Sequence, residues 1–179
     1  GESLKHHPSD AQLWYCKGVA HHQNKELVQA VDCYSRALQS KIDFFEAFEN
    51  LAEAQNELLM FEDALLSIRA AIALQPRKAI SHTRLARILE RLGQYDQAIE
   101  VATHALSLEP LNPQALMVRS NAYRGLNRLK ESIADLRQAI AQNPNEPEYV
   151  YNLSFDLLLN EEFEEGWACY ESRFQTKSF

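Results

Sequence analysis

Glycine and proline are scarce in this chain, five and six among 179 residues, so a flexible linker or low-complexity spacer is excluded. Long apolar runs are missing too. Nothing approaches the roughly 18 consecutive apolar residues that a membrane-spanning helix needs, and membrane insertion is not expected. Cysteine is rare: Cys16, Cys33 and Cys169 are odd in number and far apart, which gives no disulfide framework and no metal-ligand spacing. Three scattered thiols fit a reducing, cytoplasmic compartment. Positive charge is in deficit, 18 Lys and Arg against 25 Asp and Glu, for a net charge of −7. A nucleic-acid role needs a basic face, and the one basic cluster (Arg84, Arg87, Arg91, Arg119, Arg124, Arg128) is interleaved with acids. Alternating Val/Ile/Thr runs bounded by turns do not occur, so no β-sheet is expected. Catalytic signatures are lacking as well: no glycine-rich phosphate loop, no nucleophile elbow and no zinc-protease pattern. The pairs His6-His7 and His21-His22 offer too few ligands of fixed geometry for a metal, so no metal, cofactor or enzymatic activity is expected.

What the chain has is an internal period. Ala30, Ala64 and Ala98 stand 34 residues apart, with Ser132 and Gly166 in the next two slots. A parallel ladder runs through Ala37, Ala71, Ala105 and Ala139, and a third through Pro8, Pro76, Pro110 and Pro144, with Ile42 as its one miss. Units counted from residue 11 occupy 11–44, 45–78, 79–112, 113–146 and 147–179, after a fragment, 1–10, expected to be the tail of an earlier unit. Position 8 of the units reads Gly18, Ala52, Ala86, Ser120 and Ser154, small in every case, as position 20 is. Two helices approach closely only where bulky side chains are absent, so these slots mark helix crossings. Position 17 is large and apolar: Leu27, Phe61, Tyr95, Leu129 and Phe163.

Each unit carries two helical patterns. In the third, Leu85, Ile88, Leu89 and Leu92 follow the 3.6-residue period over Ser81 to Leu92. Gly93 then offers the left-handed residue that ends many helices, a second periodic stretch runs from Tyr95 to Leu108, and Pro110 stops it. Repeated helical pairs cannot bury their apolar faces singly and must stack.

The period, the small residues at positions 8 and 20, the alanine at 27 and the proline at 32 resemble the tetratricopeptide repeat, over Ala11 to about Phe174. Departures are scattered. Position 7, where the family wants Leu, holds Leu51, Leu85 and Leu153 but Lys17 and Arg119. The resemblance implies an all-α, right-handed superhelical solenoid of helix-turn-helix units. It implies, too, that the first helix of each pair lines a concave groove through positions 2, 5, 6, 9, 12 and 13. Carried onto this chain, the groove candidates are Tyr15, Val19, Glu46, Glu49, Asn50, Glu53, Arg84, Arg87, Met117, Asn121, Arg124, Tyr151, Asn152 and Phe155. They grade from acidic through basic to apolar, which suits a protein or peptide partner of the opposite pattern. The same charges admit a purely structural role, with Glu53 bridging to Arg87 and Glu57 to Arg91 across units. A chaperone-type carboxylate clamp is matched only at Asn50 and Arg84, and an asparagine ladder at position 6 is broken between Asn50 and Asn152.

The fifth unit carries a narrower resemblance. Asn152-Leu153, Glu161 to Trp167 and Tyr170 to Phe174 are similar to the last repeat of bacterial tetratricopeptide proteins in which a glycosyltransferase-like domain follows. That resemblance implies an alternative function, a substrate-recruiting or oligomerising arm of a larger enzyme. Phe163, Trp167, Tyr170 and Phe174 share one helix face. This stripe either completes the core of the fifth unit or, through Trp167, Tyr170 and Phe174, meets a following domain or a second copy of the chain.

Overall fold

The computed structural model describes residues 8–172. Ten helices follow one another among the described residues, and no strand: α1 (Pro8–Gln23), α2 (Leu27–Ser40), α3 (Phe45–Glu57), α4 (Phe61–Leu74), α5 (Ala79–Arg91), α6 (Tyr95–Leu108), α7 (Pro113–Gly125), α8 (Leu129–Gln142), α9 (Pro147–Leu159) and α10 (Phe163–Ser172). The architecture is all-α, a succession of helix-turn-helix pairs, as the resemblance implies. The third pair sits close to its predicted place: α6 has the expected bounds, and α5 starts two residues before Ser81 and stops at Arg91, one short of Leu92.

One turn geometry closes all five pairs. Lys25, Leu59, Gly93, Asn127 and Glu161, each at position 15 of its unit, take positive φ of 62°, 62°, 72°, 57° and 64°. The following amide reaches back five residues to a helix carbonyl, as in Glu26 N to His21 O at 2.9 Å and Arg128 N to Tyr123 O at 2.9 Å. This is the Schellman cap, which satisfies carbonyls that the helix end leaves open. Only Gly93 reaches that conformation without steric cost, and Asn127 tolerates it. Lys, Leu and Glu hold it in the other three turns, so packing of the pair overrides local preference there. The second helices of the first four pairs end alike, with the position-31 amide on the position-27 alanine carbonyl: Lys41 on Ala37, Gln75 on Ala71, Glu109 on Ala105 and Asn143 on Ala139. At the start of α7, Asn112 accepts from Ala115 N at 3.0 Å and Pro113 occupies the first helical position.

The helices form two compact units, one ending at Ile88 and the other beginning at Leu89. In the first, α1 packs on α2, α2 on α3, α3 on α4, and α1 also touches α3. Its core joins Ala30, Tyr34, Leu51 and Ala54, with a second cluster of Ala11, Ala37, Phe44 and Ala47 against Trp14 and Tyr15. In the second, α6 packs on α7, α7 on α8, α8 on α9 and α9 on α10. Its core joins Ile133, Leu136, Leu153 and Leu157, beside Leu116, Ala139 and Tyr149.

Residues in the small slots are buried, and the packing says why. A Cβ on Gly18 would lie 2.6 Å from the Tyr34 ring, inside contact distance. Tyr34 is itself fully buried, and burial pushes its hydroxyl pKa up to about 12. Gly166 repeats the theme against Leu158, whose side chain would stand 2.9 Å from an added Cβ.

Candidate partner-binding faces

In unit one, positions 5 and 6 of successive first helices meet. Those positions are 35 residues apart, one period plus one, and the pairs recur. Asn50 Nδ2 donates to the Tyr15 hydroxyl at 3.1 Å, and Arg84 Nη1 donates to Glu49 Oε2 at 2.6 Å. Arg84 also reaches Glu53 at 3.1 Å, and Arg87 reaches the other Glu53 oxygen at 3.7 Å. Tyr15, Asn50, Glu49, Arg84, Glu53 and Arg87 therefore form one connected row. Its members are partly buried, and Glu49 is buried outright, at 7% exposure. Burial raises the Tyr15 pKa above its ordinary value. Glu49 Oε1 has no hydrogen-bond donor among the described residues. Val19 packs against the Tyr34–Leu51 cluster beside this row, and Glu46 is exposed.

Glu57 closes the end of the row. His22 Nε2 lies 2.8 Å from one carboxylate oxygen and Lys25 Nζ 3.2 Å from the other. The His22 hydrogen bond, joined by that of Lys25, holds the Glu57 carboxyl below its usual range. Glu53 meets Arg87 as the sequence suggests, and Arg91 approaches Glu90 at 3.8 Å.

Unit two organises the same positions differently. Arg124 donates to Asn121, to Asn152 at 3.2 Å and to Asp156 at 3.2 Å. Asp156 is fully buried on α9 and also accepts a short hydrogen bond from Ser132. Its pKa is raised because burial penalises the charged form more than Ser132 and Arg124 favour it. Met117 turns into the core, packing beside both apolar clusters. Tyr151 and Phe155 stay exposed, at 39% and 41%, with ring centroids 4.9 Å apart. Tyr151 stacks on Tyr170 at 6.5 Å, and Tyr170 meets Trp167 edge-on at 5.7 Å. The expected stripe is thus partly outward, with Phe163 56% and Trp167 53% exposed. Phe174 lies outside the described residues.

Two polar contacts escaped the sequence. Arg119, at the position-7 slot that departs from the family, forms a two-pronged pair with buried Asp135, at 2.7 Å for each hydrogen bond. That pairing raises the Arg119 pKa further. The second is Asp156, which stands at position 10, where other units place Ala20, Ala54, Ile88 and Ala122. An acid in an otherwise apolar slot was the available signal, since a buried carboxylate requires partners. Among the described residues no group of three or more His, Cys, Asp or Glu is arranged to hold a metal. No described helix is long and apolar enough to cross a membrane.

Repeated helix pairs, Schellman turns and buried small slots are the marks of one class of helical repeat protein. The tetratricopeptide repeat signature matches residues 1–43, 51–103 and 83–147, and the chain belongs to that family. Among curated proteins it is 30% identical to Protein FlbA of Caulobacter vibrioides over 136 residues, which cover 74% of this chain and 23% of that protein. The chain thus spans about a quarter of that relative's length. Among solved structures it resembles MamA from Desulfovibrio magneticus RS-1, with a TM-score of 0.81 at 17% identity, covering 93% of this chain and 94% of that one. It also resembles YrrB, described as a TPR protein with an unusual peptide-binding site, with a TM-score of 0.69 at 17% identity, covering 94% and 87%. Tetratricopeptide proteins are protein-interaction scaffolds, and their fold is typically non-catalytic.

Proposed function

We propose that this chain is a non-catalytic scaffold that takes a peptide or a segment of a partner protein on the first helix of each pair. Within unit one the receiving face is the Tyr15–Asn50–Glu49–Arg84–Glu53–Arg87 row, flanked by Val19 and Glu46. Within unit two it is Asn121, Arg124, Asn152, Tyr151 and Phe155, over the partly buried Met117, with Trp167 and Tyr170 extending it to an interface at the C-terminal end. The observation that carries this reading is Glu49. Its Oε2 is fixed by Arg84, while its buried Oε1 lacks a donor among the described residues. A buried acceptor left open costs about 1–3 kcal/mol, and a donor from a bound polypeptide relieves that cost. The peptide-binding site named for YrrB supports the same reading by analogy of fold. Cys16, Cys33 and Cys169 form no disulfide among the described residues, and such scattered cysteines suit the cytoplasm.

A random peptide library panned on the chain tests it. Enriched peptides are expected to lose about tenfold in affinity on Glu49→Gln or Asn50→Ala. Asn50→Ala should leave the thermal midpoint close to that of the parent, whereas Glu49→Gln, which breaks a buried ion pair, should lower it. Peptides that bind both variants as well as the parent would place the site elsewhere and sink the reading.

A further inference from the structure

The last helix pair is chemically one-sided. Residues 143–172 contain eight acidic side chains and no Lys, Arg or His. Three of the acids are spoken for: Arg137 of α8 reaches Glu165 at 2.8 Å and Glu162 at 4.0 Å, and Arg124 holds Asp156. Others line the aromatic face itself. Glu148 precedes Tyr151 by three residues on α9, Glu164 precedes Trp167 by three on α10, and Glu171 follows it by four, so each shares a helix face with a ring. All three are exposed.

Three rings elsewhere carry cations of the chain's own. Trp14 has Lys17 at 5.1 Å and Arg36 at 4.7 Å, Phe44 has Lys41 at 4.9 Å, and Tyr123 has Arg128 at 4.6 Å. Trp167 and Phe155 have no such cation among the described residues. An exposed indole rimmed by carboxylates attracts a cation twice, through the ring quadrupole and through charge.

We propose that the face formed by Tyr151, Phe155, Trp167 and Tyr170 docks a cationic segment of a partner polypeptide, one with Arg or Lys set among apolar side chains. A second copy of this chain is the poorer occupant. A two-fold dimer sets the same patch on itself, so Glu148, Glu164 and Glu171 would oppose their own copies. Arg fits better than Lys, because its planar guanidinium stacks on an indole while it pairs with a carboxylate. The inference rests on the proposed function only in treating the chain as a polypeptide binder.

The test uses a Trp14→Phe chain, in which Trp167 is the sole tryptophan. The probes are a labelled amphipathic peptide of about 15 residues built from Leu, Ala and Arg, with its Arg→Lys and Arg→Glu counterparts. The Arg and Lys peptides should bind, with Arg tighter, shifting Trp167 emission and weakening as salt rises. Phe155→Ala with Trp167→Ala should cost about tenfold by anisotropy of the labelled peptide. Glu148→Gln, Glu164→Gln and Glu171→Gln together should flatten the salt dependence while leaving helix content unchanged. Equal binding of the Glu peptide, silence at Trp167, or affinity untouched by both sets of substitutions overturns the proposal. So does a concentration-dependent dimer abolished by Trp167→Ala. Glu49→Gln should leave this binding intact, so failure of the inner-face reading and failure here are separable.

Discussion

Glu57 in unit one and Asp156 in unit two are both carboxylates on the first helix of a pair, both held by cations, and their acidities move in opposite directions. Glu57 keeps contact with water and takes donors from His22 and Lys25, so its charged form is favoured. Asp156 has a serine, an arginine and no water-exposed surface, and its charged form is disfavoured. The partners are comparable, and the difference is desolvation. Pairing wins at a half-open face, whereas burial wins inside the stack. Unit one thus spends its polar residues on a partly buried row of hydrogen bonds and ion pairs, and unit two uses one acid to tie three helices together.

The contrast is broken most forcefully at Arg119. Removing this guanidinium leaves Asp135 buried and uncompensated, so Arg119→Ala should cost about 3–5 kcal/mol in urea unfolding. Lys25→Ala, which takes a cation from half-open Glu57, should cost clearly less. Equal losses would mean that the two units do not differ in this way.

Close approach gives the next largest effect. Gly18→Ala drives a methyl to 2.6 Å from Tyr34, which is fully buried and has nowhere to move. A loss of about 1–3 kcal/mol is expected. Gly125→Ala makes the same clash at 2.6 Å with Tyr95, but that ring is partly exposed and can swing outward. Its penalty should be visibly smaller, and denaturation curves of the two variants side by side decide the matter.

The acidities themselves give the smaller effects, with opposite signs. A carboxyl that holds its proton more tightly folded than unfolded contributes stability below the ordinary Asp range and loses it as pH climbs past the folded value. Asp156→Asn should therefore remove a decline in stability on the way from acid towards neutral pH. Glu57 works the other way: its contribution is present above the ordinary Glu range and is lost as pH falls through its lowered folded value. Glu57→Gln should cost only a few tenths of a kcal/mol at neutral pH, less in high salt, and nothing at low pH. Thermal midpoints across a pH series, at two salt concentrations, read both.

Much of the fold was legible because a repeat writes the same constraint five times. One Gly93 hints at a left-handed turn, and the period carries that hint to Lys25, Leu59, Asn127 and Glu161, where residue type alone gives little or none. The family pattern singled out positions on the first helix of each pair. Their connections were not legible. Tyr15 with Asn50, or Arg124 with Asn152, depends on which side chains two neighbouring helices turn toward each other. Arg119 looked like a departure from the family's leucine until Asp135, 16 residues on, proved to be its counterpart.

The sequence by itself determined the period, the helix pairs and the slots that must stay small, because these follow from chain-local spacing and from the volume available at a helix crossing. Only the tertiary structure decided which charges are paired, which carboxylate is desolvated, and which aromatic rings remain in water. Those are properties of neighbours in space, and the free energy of a charge is set by what surrounds it.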